Sequence, residues 1–332
     1  REFYKEGNHD EAFETIKARG IRMRVGLIDI DSKMPNLALM KLSAYYKNIF
    51  KYDVELTDPL FNENYNIVFA SKIFSYSYCP ILPDDVNIGG SGFDLKTKLK
   101  SQVEHIMPDY DLYPGMNHSL GFTTRGCVKK CPFCIVPKKE GDIRFNADIY
   151  EFWDARHKKI VLLDNNIFAL PNHFCKVADQ ILKEGLKVDF NQGLDIRLLT
   201  EEKAEILKEL TPIEYWRFAF DNLKEESKVR GGLECLKNVG FNDRHEIMFY
   251  LLIGFYEDDY DEAIRSGLKR IGIICNEYGF DVFAMPYNYD SRFADFTRWV
   301  NYKAIFHSVK WKDYNPYMSR KIQANKSQCL FN

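Results

Sequence analysis

Apolar residues recur along this chain in two rhythms, runs of four to eight and stripes spaced three and four apart. Residues 24–30 read as an apolar strand. Residues 35–50 read as a helix, with Leu37, Met40, Leu42, Tyr45 and Ile49 apolar, and 53–56 and 66–70 as short strands. Residues 86–92 close a strand in a glycine-rich turn, Gly89-Gly90-Ser91-Gly92, before a helix expected over 94–106. From residue 119 the alternation becomes regular. Strands are expected at 120–123, 160–163, 187–191, 215–220, 247–253 and 281–285, with helices at 147–157, 173–183, 200–210, 225–239 and 258–278. Thr200 is a good N-cap, and Gly185, Gly240 and Gly279 stand just past helix ends. The pattern predicts an α/β protein: a doubly wound, Rossmann-like domain over residues 23–116, then a βα-repeat core over 117–290. Residues 1–22 form an N-terminal extension in which Asn8, Glu11 and Gly20 bound one short helix. Residues 291–332 form a basic, aromatic C-terminal segment.

Composition narrows the class. A chain of 332 residues, 45% hydrophobic and 28% charged, reads as soluble and globular. The net charge of −2 gives no bulk attraction to nucleic acid or membrane. No apolar run approaches the roughly 20 residues of a membrane-spanning helix. Eight cysteines without a secretory signal point to a reducing, cytoplasmic setting.

The chemistry concentrates in residues 121–134, where Cys127, Cys131 and Cys134 stand at C-x3-C-x2-C spacing, with Phe133 before the last. Three thiolates on a four-iron cube leave one iron open to a small molecule. A zinc site would need a fourth ligand, with His118 the nearest added donor. In parallel βα folds ligands bind beyond the carboxyl ends of the strands, and those positions are polar here. They hold Asp164-Asn165-Asn166, then Asn191-Gln192 with Asp195 and Arg197, then Asp221-Asn222, and Gly254 within Leu251–Glu257.

The cysteine loop resembles the C-x3-C-x-aromatic-C signature of the radical S-adenosylmethionine (SAM) superfamily. The resemblance implies a partial (β/α)6 TIM-like barrel and a [4Fe-4S] cluster on Cys127, Cys131 and Cys134. It also implies SAM chelated to the open iron and cleaved to methionine and a 5′-deoxyadenosyl radical, with electrons from an external flavodoxin- or ferredoxin-type donor. Asp164, Asn165 and Asn166 correspond to the stretch that holds the SAM amino group. Gln192, Asp195 and Arg197 are candidates for its ribose and carboxylate, Gly254 lies on the strand that packs along adenine, and Phe133 adds an aromatic face.

Residues 23–116 resemble the domain that precedes this core in cobalamin-binding members, through Met34-Pro-Asn-Leu-Ala-Leu-Met40, the glycine turn and Pro108-Asp-Tyr-Asp-Leu-Tyr-Pro114. The Asp-x-His-x-x-Gly motif that supplies a lower cobalt ligand is absent, and neither His105 nor His118 has its context. A degenerate Rossmann-like domain is therefore favoured over a cobalamin site, and a cobalamin-dependent methyltransferase is the first alternative. The glycine turn itself favours a tight βα turn over a phosphate cradle. In residues 291–332 basic side chains interleave with aromatics. A helix over 294–309 whose stripe of Phe296, Trp299, Tyr302 and Phe306 packs inward is favoured. Nucleic acid stacked on that segment, and hence a nucleic-acid or nucleotide modification enzyme, is the second alternative. A non-catalytic iron–sulfur or zinc protein is the third. Nothing beyond the SAM positions identifies a substrate.

Overall fold

The computed structural model describes residues 23–317. The short helix expected in residues 1–22 and the C-terminal Arg320, Lys321, Lys326 and Cys329 lie outside the described residues. By contacts the chain divides into two compact units, residues 23–130 with 134–163, and residues 131–133 with 164–317.

In the first unit, β1 (Arg24–Asp29), β2 (Asp53–Leu56), β3 (Ile67–Ser71) and β4 (Asn87–Gly89) form an all-parallel sheet in the order β2-β1-β3-β4. Its strands are short and apolar because they are buried: Ile28, Val68, Ala70 and Val86 make one core cluster, joined by Ile30, Tyr65 and Leu82. Helix α1 (Leu37–Tyr45) starts where the Asn36 side chain accepts the Leu39 N–H, and it buries Leu37, Leu39, Met40 and Leu42. The links from β2 to β3 and from β3 to β4 contain no α-helix. The first carries a short 3-10 segment at Pro59–Asn64, and the second is irregular, with Pro80 and Pro83 within it. The helix expected over 94–106 is also a single turn, Ser101–Glu104. Asp94 accepts the N–H groups of Lys96 and Thr97 and the Thr97 hydroxyl, and this local turn outcompetes helix there.

The same unit holds β5 (Ser119–Gly121), parallel to β8 (Lys159–Leu162), and the antiparallel hairpin β6 (Thr124–Arg125) with β7 (Arg144–Phe145). The helix expected over 147–157 is only a 3-10 turn at Ile149–Glu151. Ser119 Oγ accepts the Asp154 N–H at 2.9 Å, and Tyr110 donates its hydroxyl to the Phe152 carbonyl, so tertiary bonds hold this stretch open. Gly121 is required beneath it, since a Cβ there would stand 2.4 Å from the Phe152 ring.

In the second unit β9 (Lys187–Phe190) runs parallel to β10 (Thr211–Pro212), a strand absent from the sequence pattern. A three-stranded parallel sheet follows, with β12 (Ile247–Ile253) between β11 (Trp216–Ala219) and β13 (Asp281–Pro286). Helices α2 (Pro171–Glu184), α3 (Glu201–Glu209), α4 (Glu226–Asn238) and α5 (Tyr260–Ile271) alternate with the strands as expected. Thr200 caps α3 by accepting the Lys203 N–H, and Gly185 ends α2 at φ 61°. The C-terminal helix is shorter than the pattern suggested. Helix α6 (Ala294–Asn301) ends where Tyr302 turns to ψ 83°, and a separate turn, Lys303–Phe306, follows. Phe296 and Trp299 are buried, in keeping with an inward-packing stripe, but Tyr302 is exposed.

Candidate functional site

The cysteine loop is pinned at its base. Gly126 takes φ +82°, and a Cβ there would meet the Asp142 carbonyl at 2.2 Å, so only glycine lets the chain turn at this point. The Cys127 N–H then donates to the Gly141 carbonyl at 3.2 Å. Backbone N–H groups are directed at two of the sulfurs, Lys129 N–H at Cys127 Sγ (3.3 Å) and Val136 N–H at Cys134 Sγ (3.5 Å). All three cysteines are half-buried, reachable yet partly shielded from water. Among the described residues no three His, Cys, Asp or Glu side chains gather closely enough to hold a single ion. The donor set itself, three thiols with N–H support on two of them, suits a cluster held by cysteine sulfur.

Arg125 and Glu140 flank this loop in a buried ionic network. Arg125 bonds Glu104 at 2.5 Å, and Lys41 stands 3.2 Å from the same carboxylate. Burial pushes the Glu104 carboxyl up, but the charges of Arg125 and Lys41 outweigh it and hold it below the ordinary range. Lys41 is lowered by its own burial, which the carboxylates of Glu104 and, to a smaller degree, Glu151 do not offset.

In the second unit, the aromatic residue of the loop packs into a group of rings. Phe133 meets Phe255 at 5.2 Å and Tyr256 at 6.2 Å, both edge-on, and Phe255 meets Tyr287 at 4.7 Å. Asp164 and Asn166 are buried, and Asn165 is half-buried, its Nδ2 without a hydrogen-bond partner among the described residues. Asn166 Nδ2 donates to Asp195 Oδ2 at 3.1 Å. Arg197 grips the same carboxylate through Nε (2.6 Å) and Nη2 (3.0 Å). Burial disfavours the Arg197 cation, yet Asp195, with smaller contributions from Cys131 and Glu225, holds it above its usual value. Asp164, Asn165 and Asn166 share one segment, and Asn166 joins it to Asp195 and Arg197. Gln192 stands apart, exposed and bonded to Asn191. Gly254 is needed where it is: at φ +78°, an added Cβ would lie 2.2 Å from the Phe293 ring.

Three further residues join this region. Arg270, fully buried on α5, donates from Nη1 to the carbonyls of Phe220 (2.9 Å), Asp221 (3.0 Å) and Leu252 (2.9 Å). It thus ties the exit of β11 to that of β12. Asp221 accepts the Leu252 N–H at 3.0 Å, and its burial pushes the carboxyl up against the opposing charges of Arg270 and Arg197. Burial and the nearby charges of Cys131 and Asp221 raise the Tyr256 phenol, partly opposed by a hydrogen bond with Asn222. Asp221, Asn222 and Tyr256 were visible in the sequence as strand-end residues. Arg270 gave no signal, being one cation among several on a helix.

At the carboxyl ends of the first unit's sheet the polar groups are engaged with one another. Tyr113 donates to Asp29 at 2.6 Å, Asp31 accepts the N–H groups of Ile73 and Phe74, and Asn36 donates to Ser71 at 2.8 Å. Gly90 and Gly92 are explained by packing, because a Cβ on either would run into the chain at Lys72. Ser91 accepts the Lys139 ammonium at 2.8 Å. Of the two histidines nearest this domain, His105 pairs with Glu151 at 2.9 Å, and burial lowers the His118 imidazole.

No protein-family profile and no characterised protein sequence matches the chain. Solved structures do. A radical S-adenosylmethionine methyltransferase, TsrM, from Kitasatospora setae, with cobalamin and a [4Fe-4S] cluster bound, superposes at TM-score 0.54 and 11% identity over 80% of this chain and 75% of its own. The same enzyme with tryptophan substrate and the SAM analogue aza-SAM matches at TM-score 0.56 and 11% identity, over 79% and 72%. These matches establish a shared fold, an α/β architecture with parallel sheets that is also that of a cobalamin-binding radical SAM enzyme. Among the described residues no helix is long and apolar enough to cross a membrane.

Proposed function

We propose that this chain is a radical SAM enzyme, with a degenerate Rossmann-like domain over residues 23–116 and a partial (β/α)6 barrel over 117–290. The observation that carries the reading is the cysteine loop. Its C-x3-C-x2-C spacing has N–H groups turned toward Cys127 and Cys134, and the structure of a radical SAM methyltransferase superposes over 80% of the chain. Cys127, Cys131 and Cys134 hold a [4Fe-4S] cluster, which when bound supplies one electron for the reductive cleavage of SAM. The chain's own residues bind and orient. Asp164, with the amides of Asn165 and Asn166, takes the SAM ammonium. Arg197 holds Asp195 with two nitrogens and meets the SAM carboxylate with a third. Asp195 serves the ribose, and Gly254 borders the adenine. A buried charge of either sign is costly without its partner, so a zwitterionic ligand needs both. A small electron-transfer protein of flavodoxin or ferredoxin type reduces the cluster.

The reading is tested by anaerobic reconstitution followed by electron paramagnetic resonance of the reduced protein with and without SAM. A cluster signal that SAM perturbs is expected; a signal indifferent to SAM would refute the assignment of an open iron.

A cobalamin-dependent methyltransferase is the second reading, favoured by the cobalamin bound in the TsrM structure. Against it stands the missing lower-ligand motif. A corrin absorption spectrum retained after reconstitution with cobalamin would decide for it.

A further inference from the structure

The cysteine loop carries side chains that the binding of a cluster does not use. Its two limbs, residues 127–130 and 134–139, both belong to the first unit. They are tied together at the base: the Cys127 N–H donates to the Gly141 carbonyl at 3.2 Å, and the Gly141 N–H donates to the Val136 carbonyl at 3.3 Å. Next to the half-buried cysteines, Val128 is 47% exposed on one limb and Ile135 is 50% exposed on the other. A single exposed apolar side chain means little. Here two of them adjoin cysteines of the same short loop, and charge gives the pair a context.

The chain as a whole is slightly acidic, at net charge −2, yet it has no aspartate or glutamate between Asp111 and Glu140. Five cations lie in residues 125–139. Two of them are engaged, Arg125 with Glu104 and Glu140, and Lys139 with the Ser91 hydroxyl at 2.8 Å. The side chains of Lys129, Lys130 and Lys138 have no ion pair or hydrogen bond among the described residues, and Lys130 and Lys138 are exposed. The loop that would hold the cluster is thus apolar and basic on its solvent side.

These features fit an acidic protein. An apolar centre with a charged rim is the anatomy of a protein contact, and lysines without partners steer an anionic one toward it. Weak redox encounters are the smallest of interfaces, under about 1,200 Å2, so a surface confined to one loop suffices. Nucleic acid would want a ring on which to stack a base. The one aromatic in residues 125–139, Phe133, packs instead against Phe255 at 5.2 Å and Tyr256 at 6.2 Å. We propose that Val128, Lys130, Ile135 and Lys138 form the docking surface for an acidic redox protein. The donor's centre gives up one electron and the cluster gains it, with no bond made or broken. This rests on the radical SAM reading and goes beyond it in assigning the surface and the charge of the donor. A flavin and an iron–sulfur centre share this chemistry.

Docking is read without turnover, by calorimetric titration of the reconstituted full chain with an acidic flavodoxin and with an acidic [2Fe-2S] ferredoxin. The tighter of the two assigns the donor's centre. Binding should weaken as salt is raised and be absent with cytochrome c, a small basic redox protein. Lys130→Glu combined with Lys138→Glu should weaken the donor roughly tenfold, while Lys130→Arg with Lys138→Arg keeps the wild-type affinity. Ile135→Ser should weaken it severalfold and leave the salt dependence unchanged. Iron content should stay normal in every variant, which separates docking from lysines that only balance the charge of a cluster. Donor-driven 5′-deoxyadenosine should fall in parallel, whereas reduced methyl viologen, a small cation that needs no docking surface, should give the wild-type yield throughout. Wild-type protein that yields nothing with methyl viologen, yet binds the donor through these lysines, would refute the radical SAM reading and leave the docking surface standing. The proposal is overturned by no binding of either donor, by binding that ignores the charge reversal, or by equal binding of cytochrome c. It is also overturned by an oligoribonucleotide that binds the same lysines more tightly than either donor.

Discussion

Replacing Arg270 with methionine removes one buried guanidinium while keeping most of its length. In the wild type, Nη1 lies 2.9–3.0 Å from the carbonyls of Phe220, Asp221 and Leu252, and Nε lies 3.3 Å from that of Ser266. Two N–H groups on Nη1 cannot serve three acceptors fully, so the bonds are shared and amount to about two good ones. Hydrogen bonds to a charged group contribute about 1.5–3 kcal/mol each, which gives about 3–6 kcal/mol for the pair. Removing the cation also removes its desolvation cost, the burial that lowers the Arg270 pKa. The carbonyls remain behind, now without their donor. The net expectation is a loss of about 2–5 kcal/mol, in line with the truncation of one member of a buried charged group. Urea denaturation followed by far-ultraviolet circular dichroism measures it, and amide exchange should quicken most in residues 219–223 and 251–255. A loss under about 1 kcal/mol, or exchange that quickens evenly across the unit, would refute the view that Arg270 clamps these two strand ends.

Other outcomes follow from the same geometry. Cys127→Ala, Cys131→Ala or Cys134→Ala should each abolish the SAM-dependent spectroscopic change, whereas Cys175→Ala should not; iron and acid-labile sulfide analysis checks it. Asp164→Ala and Arg197→Ala should each weaken SAM binding by about 2–5 kcal/mol in equilibrium dialysis, with iron content intact. Arg197→Ala should also lower the urea midpoint, because it strips Asp195 of its two-pronged partner. Gly254→Ala places a Cβ 2.2 Å from Phe293 at φ +78° and should cost more than the roughly 1–2 kcal/mol of a left-handed residue alone. Glu104 has a folded-state pKa held below its ordinary 4.5, so its contribution is full above that value and is lost as pH falls through the depressed one. Stability should therefore drop in the acid range below about pH 4.5, and Glu104→Gln should flatten that drop in urea titrations from pH 6 to 3.

What could be read from the sequence was what local chemistry dictates. The strands of both units were legible because runs such as Ile247–Ile253 are buried on alternate positions and have few alternatives. The cysteine loop was legible because its three cysteines lie within eight residues. The helices expected over 94–106 and 147–157 failed where side chains bonded to nearby or distant backbone instead, at Asp94 and at Ser119. Asp195 and Arg197 were singled out as separate contacts for one ligand. Their mutual bond depends on the 3-10 turn at Ile196–Leu198, which spacing does not announce. Arg270 was invisible because three of the four carbonyls it reaches lie 18 to 50 positions away. Asp281 and His307 meet across a similar gap.

The central claim is that Cys127, Cys131 and Cys134 carry a cluster that cleaves SAM. Its most direct measurement is the yield of 5′-deoxyadenosine and methionine from anaerobically reconstituted protein given SAM and dithionite. The account predicts both products in wild-type protein and neither in Cys131→Ala. Iron-loaded wild-type protein that leaves SAM intact, or equal product from the variant, would contradict it.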